Sequence, residues 1–405
     1  MKLIAFSLSI ALVIGQMIRL PIGEQGIQVI DAVSAAVLFQ ILFFLFLRLA
    51  GRYAAPLPLF SAFSIFSLWC ITCLMHGIVN LLFGNIELSE FLNGVLAAIR
   101  FLFPILIVGY IVSSKPQRLD LKGSMRAMYT VGYLVVAFGV LQSLFIHNFA
   151  LRYGPDYEWD YQGNRLVSIF LDPNLAASFT SGFVLLGFVI LRLSVFPRRI
   201  VLMGIVLAVA STLLTLSRGG IIGLLFGSLT YWLFNKGAFS VFRLRNIFLL
   251  LSSAIFGPLL VYYTFDLEFL INSDRFGATN ESALIRFNNY SALLEIFTQH
   301  PFFGVGFNYT RALYSDSFAG FSGNYVDGGI LVLLSSLGIV GFAVLFLALL
   351  KFKNIARLDI KLWGPFLGMF AIQSFATSTI FYPLIVCYFA AVLSFAQMYT
   401  SSSRN

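Results

Sequence analysis

The chain has 405 residues, of which 59% are hydrophobic and only 11% charged, and its mean hydropathy is +0.91. Soluble domains carry about 25% charged residues, so a soluble globular fold is excluded and the core must be built in lipid. The net charge of +9 fits an anionic partner, but in a membrane protein its distribution along the chain is more informative.

The first stretch, MKLIAFSLSIALVIGQMIRL, has Lys2 ahead of an apolar run, as a signal peptide does. It has no small-x-small cleavage site and further apolar runs follow, so it is expected to stay as a first helix. Apolar windows of about 17–25 residues are spanning candidates. They fall at 3–20, 27–47, 57–79, 91–113, 127–146, 174–191, 200–216, 219–235, 246–265, 328–350, 362–380 and 383–399. The expected fold is therefore an all-α polytopic membrane protein of about twelve spans, one integral membrane domain over 1–405. The run from 200 to 235 would be about 54 Å long as a single helix, too long for one crossing, so it must turn back. Ser217-Arg218-Gly219 is the natural tip. Gly219, Gly223 and Gly227 form GxxxGxxxG, which favours close packing of the helix that carries Arg218.

Charge gives an independent check. The alternate loops on the side of Lys2 hold 18 of the 26 basic residues, among them every lysine, and only Asp120 and Asp359 as acids. By the positive-inside rule that side is cytoplasmic, and both termini with it. Eight arginines remain on the outer side or within spans: Arg19, Arg100, Arg152, Arg165, Arg218, Arg275, Arg286 and Arg311. Arginine presents a planar fork suited to bidentate contact with phosphate or carboxylate. Arg218 is the one ionised residue between Ile200 and Phe234. It either snorkels from a helix end or marks a functional site. Arg100 lies deepest, within LNGVLAAIRFLFPILIVG. Arg152, Arg275 and Arg311 read as solvated loop charges.

Two outer loops are long, 147–173 and 266–327; the second is inserted between the ninth and tenth spans. Within it ESALIRFNNYSALLEIFTQH has apolar residues at helical spacing (Leu284, Phe287, Leu293, Leu294, Phe297) and predicts an amphipathic helix over the outer face. Pro301, Gly304 and Gly306 mark a turn after it. The isolated G-x-G, with no strand before it, is no phosphate-binding fingerprint. Cys70, Cys73 and Cys387 lie in apolar runs and read as packing residues, and His76, His147 and His300 are scattered, so no metal site is expected.

The outer face thus combines arginines at headgroup height with acids in the loops. Arginines there can neutralise a phosphate-bearing lipid and stabilise a departing diphosphate. Asp327, just before the tenth span, can serve as general base toward a hydroxyl nucleophile, or simply complement a helix N-terminus. Glu281 and Asp172 are alternative bases.

Four stretches, NRLVSIFLDPNLAASF, LTLSRGGIIGLL, ESALIRFNNYSALLEIFTQHPFFGVGFNY and NYVDGGILVLLSSLGIVGFAVLF, follow in that order around one large outer loop. Together they resemble the O-antigen ligase and Wzy-type polymerase superfamily over about residues 160–350. The resemblance implies a GT-C-like membrane glycosyltransferase that uses no metal or other cofactor. It would take glycan from undecaprenyl diphosphate at the outer face of the bacterial cytoplasmic membrane. Arg218 and Arg286 would bind the diphosphate. Arg165, Arg100, Asn174 and His300 are further candidates for binding diphosphate or glycan, and Asp327 is the candidate base. The product would be O-antigen, other lipopolysaccharide glycan or exopolysaccharide, with a flippase and a chain-length-regulating co-polymerase as partners; no nucleic-acid partner is expected. Where the ligases of the family place a histidine, about eleven residues before the glycine here numbered Gly338, this chain has Asp327 followed by Gly328. That departure favours a polymerase of lipid-linked repeat units over a ligase acting on lipid A core. A flippase or transporter fits twelve spans as well, but calls for polar sites near the midplane, where only Arg100 stands. An assembly scaffold would leave the outer arginines without a role.

Overall fold

The computed structural model describes residues 2–14, 19–20, 27–28, 57–114, 117–146, 165–236, 281–314, 328–376 and 381–402, with a few isolated residues between them. Their helices, in chain order, are α1 (Lys2–Ile14), α2 (Leu57–Leu82), α3 (Leu88–Ser113), α4 (Arg118–Phe145), α5 (Pro173–Leu193), α6 (Arg198–Leu214), α7 (Arg218–Lys236), α8 (Glu281–Gln299), α9 (Thr310–Leu313), α10 (Gly329–Ile355), α11 (Ile360–Ala376) and α12 (Pro383–Ser401). A minimal antiparallel pair joins Arg19–Leu20 to Ile27–Gln28.

Among the described residues, six segments are long and apolar enough to cross a membrane, within α2, α3, α4, α5, α10 and α12. The chain is a helical polytopic membrane protein. Three more expected spans, at 200–216, 219–235 and 362–380, are helices α6, α7 and α11. In the first expected span, 3–20, the described residues are helical as far as Ile14 and extended at Arg19–Leu20, and 15–18 lie outside the described residues. The expected span at 27–47 begins in the strand pair, and beyond it residues 35–36, 38–39, 42–43 and 46 are described, all of them helical. The span at 246–265 lies outside the described residues altogether.

The hydrogen bonds sort the helix ends into two groups. At one end Lys2 pairs with Asp120 at 3.0 Å, and Arg126 Nε donates to Val195 O at 2.9 Å. Arg192 bonds Asn235, and Gln397 Oε1 accepts from Trp363 Nε1. At the other end Asn80 donates to Val305 O, Arg165 to Thr215 O and Tyr290 to Phe375 O. The first group gathers loops rich in Lys and Arg, as the alternation of charge along the sequence requires.

α5 is the central element and is almost entirely buried. Its start is well specified: Asp172 Oδ1 accepts from Asn174 N and Leu175 N at 2.6 and 2.9 Å, with Pro173 in the first turn, where its missing N–H costs nothing. α6 and α7 meet at residues 215–217 but hardly touch beyond that point. α6 lies along α5, and α7 packs chiefly on α11. The expected reversal is therefore present, as two helices that diverge from their turn. Gly220, Gly223 and Gly227 are the close-approach positions of α7. A Cβ on them would lie 2.3 Å from Ala177 Cβ, 2.5 Å from Gln373 Nε2 and 2.8 Å from Leu185 Cδ1. Gly220, which is not part of the GxxxGxxxG of the sequence, faces α5, and Gly219 beside it is buried.

α8 forms where the amphipathic helix was expected, but its buried face differs. Asn289, Ala292, Leu293 and Ile296 are buried, whereas Phe287 and Leu294 face outward. Helical spacing put Phe287, Leu293 and Leu294 in one set, but only Leu293 of the three meets the bundle.

Candidate active site

The turn before Arg218 is held by two distant segments. Leu216 is left-handed, with φ +53°, and this sharp bend ends α6. Thr215 Oγ1 donates back to Thr212 O at 2.6 Å and accepts from Ser217 N at 3.2 Å. Ser217 Oγ accepts from Gly220 N at 3.3 Å, capping α7, and donates to Asn174 Oδ1 at 2.8 Å. Arg165 Nε donates to Thr215 O at 2.8 Å, and Leu166 N donates to Leu214 O at 3.1 Å.

Arg165 is itself positioned by Gln142 of α4. The Gln142 amide donates to Arg165 O at 3.4 Å and accepts from Val167 N and Ser168 N at 3.0 and 3.1 Å. One buried side chain satisfies three backbone groups of the segment that ends at Asp172. Three candidates from the sequence, Arg165, Asn174 and Arg218, thus converge on one turn. Arg218 opens α7 as an exposed residue, so its charge adds to the positive end of the helix dipole.

Arg286 is half-buried on α8. One turn further, Tyr290 Oη donates to Phe375 O near the end of α11. Gly328, at φ +95°, lies against the Tyr290 ring, where a Cβ would be 2.8 Å from Cε1. Gly223 of α7 meets Gln373 of the same α11, two residues before Phe375. The end of α11 is the element that the Arg218 helix and the Arg286 helix share. Asp327 lies outside the described residues; its neighbour Gly328 is the described residue closest to it in sequence.

The other candidates have different surroundings. His300 is exposed beyond the far end of α8, about 21 Å along the axis from Arg286, and its Nε2 lies 2.9 Å from Tyr314 Oη. Arg100 is 5% exposed within α3, a helix that packs on α2 and α12. Asp172 caps α5 with its carboxylate, which accounts for its conformation, and the side chain of Glu281 is not among those described. Arg152 is exposed, Arg19 pairs with Gln28 in the strand pair, and Arg275 lies outside the described residues.

Sequence reading missed Gln142, Thr215 and Tyr290, and named Ser217 only as part of the tip of the turn. The signal for Gln142 was present, an amide inside the apolar VAFGVLQSLF, which needs a partner at that depth. Nothing local marks Thr215, whose carbonyl accepts from Arg165 and whose hydroxyl accepts from Ser217 N.

Arg165 thus meets the turn that opens into Arg218 at one end of an apolar helical bundle. The family model described as O-Antigen ligase matches residues 203–346, a little over a third of the chain. It runs from α6 through about two thirds of α10 and takes in Arg218, Arg286, His300 and Asp327. This segment is similar to the O-antigen ligase/Wzy-type superfamily. No curated protein matches the chain.

Proposed function

We propose that the protein is a Wzy-type polysaccharide polymerase of the cytoplasmic membrane with a GT-C-like fold, working at its outer face. The observation that carries this reading is the clasp on the Arg218 turn. Arg165 and Asn174, from a segment upstream of the matched region, fix the backbone on which Arg218 stands. A guanidinium held at a helix N-terminus is suited to a diphosphate. Arg218 and Arg286 would hold the diphosphate of undecaprenyl-diphosphate-linked glycan. The hydroxyl of a second lipid-linked repeat unit would attack the anomeric carbon with inversion, breaking the bond from carbon to phosphate oxygen. The electron pair leaves with undecaprenyl diphosphate, whose charge the arginines stabilise, and the hydroxyl proton passes to a base, Asp327. No metal is needed for that balance.

The name of the matching family favours a second reading, ligation of glycan to lipid A core or another acceptor. Asp327 in place of the histidine of the ligases favours the polymerase. Complementing a deletion in the native host with wild type, Arg218→Ala, Arg286→Ala or Asp327→Ala separates the two. Loss of a polymerase leaves a single repeat unit on its acceptor. A bare acceptor with accumulating lipid-linked polymer would establish the ligase instead. Arg218→Ala should cut polymer formation by about a hundredfold or more, and full-length polymer from this variant would remove the diphosphate role.

A further inference from the structure

Helix α10 is broken in the middle of its apolar run. Gly338 has φ +63° and ψ −178°, so Ile339 N and Val340 N cannot reach Ser335 O and Ser336 O, their partners in a continuous helix. The segment after α8 inserts into the gap. Ile339 N donates to Pro301 O at 2.8 Å and Val340 N to Phe302 O at 3.1 Å. Ser335 O accepts from Val305 N at 3.1 Å and Ser336 O from Gly306 N at 2.9 Å. All four orphaned groups are satisfied by backbone.

The depth of this splice follows from three helices. Lys351 is the first charged residue after the apolar run of α10, and Gly338 lies about 20 Å before it in a hydrocarbon core of about 30 Å. The Tyr309 side chain fits against Gly77 of α2 and Gly94 of α3, where a Cβ would lie 2.3 Å from its hydroxyl oxygen and 2.4 Å from its ring. These glycines stand about 8–9 Å inside the facing ends of their helices. Deeper still, the Phe307 ring packs on Trp69 at 4.9 Å and on Phe101 at 5.2 Å. Phe101 lies about 20 Å along α3 from its start.

We propose that residues 300–309 form a re-entrant segment that enters the bilayer, with Phe302 and Phe303 in contact with lipid acyl chains. Phe307 turns into the bundle and is 2% exposed, whereas Phe302 and Phe303 are 64% and 67% exposed. Across the splice their neighbours Ile339 and Val340 are also exposed, so the phenylalanine pair continues the lipid-facing surface of α10. Irregular backbone at this depth is tolerated only where its polar groups are satisfied by protein, and the splice provides that. The inference is independent of the substrate.

The test places a fluorophore at position 303 of the full-length protein in phosphatidylcholine vesicles. Phe303→Cys is made with Cys70→Ala, Cys73→Ala and Cys387→Ala, and quenching by a mid-chain nitroxide lipid is compared with quenching by aqueous iodide. Phe303→Trp with the native cysteines kept, read by its added emission, covers the case in which the cysteine-free protein does not fold. Position 303 should be quenched several-fold more by the nitroxide lipid, and Gln299→Cys, at the exposed end of α8, more by iodide. Iodide quenching at 303 equal to that at 299 would overturn the proposal. So would protection from both quenchers, which would show that a second copy or another protein covers the pair.

Discussion

The Arg218 turn and the Gly338 break solve one problem in two ways. Each interrupts helical structure within an apolar bundle, and each frees backbone groups that lipid cannot satisfy. At the Arg218 turn distant side chains do much of the work: Arg165, Asn174 and, behind them, Gln142. At Gly338 backbone alone does it, and residues 301–306 lend two carbonyls and two N–H groups. A clasp of side chains depends on residue identity at many positions and can hold a charged head in a set place. A splice of backbone tolerates most side chains and is strict only where a Cβ would collide.

That contrast is broken most severely at the splice glycines. A Cβ on Gly338 would lie 2.3 Å from Phe302 O, and one on Gly304 2.4 Å from Ser336 O, both at positive φ. Gly338→Ala and Gly304→Ala should each cost on the order of 4 kcal/mol, visible as lost monodisperse protein in detergent. Gly341, three residues on, would bring its Cβ only to 3.1 Å from Leu337 Cβ, and Gly341→Ala should leave the thermal midpoint nearly unchanged. Equal losses at 338 and 341 would refute the splice. A smaller effect is expected at the clasp: Gln142→Leu deprives three backbone groups of their partner and should cost about 2–3 kcal/mol, with polymer formation falling together with stability. The smallest effect tests whether Tyr309 acts as a wedge or as a donor. Its hydroxyl meets Phe91 O at 3.5 Å, the long limit for a hydrogen bond, so Tyr309→Phe should change stability by about 0.5 kcal/mol or less.

Much of the helical layout was legible in the sequence, because side-chain hydropathy and charge alternation are local properties. The reversal near Arg218 followed from length alone, and the helix at 281–299 from spacing. The Gly338 break was not legible. LVLLSSLGIVGFAVLF is apolar but for two serines and contains no proline, and hydropathy does not register φ. The grouping of Arg165 and Asn174 with Arg218 came from family resemblance, but its physical cause, a carbonyl and a hydroxyl some 40–50 residues away, belongs to tertiary structure. Phe287 and Leu294 misled for a related reason. An apolar residue on a helix in a membrane protein has two apolar places to go, and spacing alone does not choose between them.

The splice also sets an order of assembly. Pro301–Gly306 leaves the ribosome before Gly338 does, since chains emerge N-terminus first. The piece that completes α10 is therefore made before the helix that needs it. A circularly permuted chain in which α10 came first would have to insert a span with its backbone open to lipid.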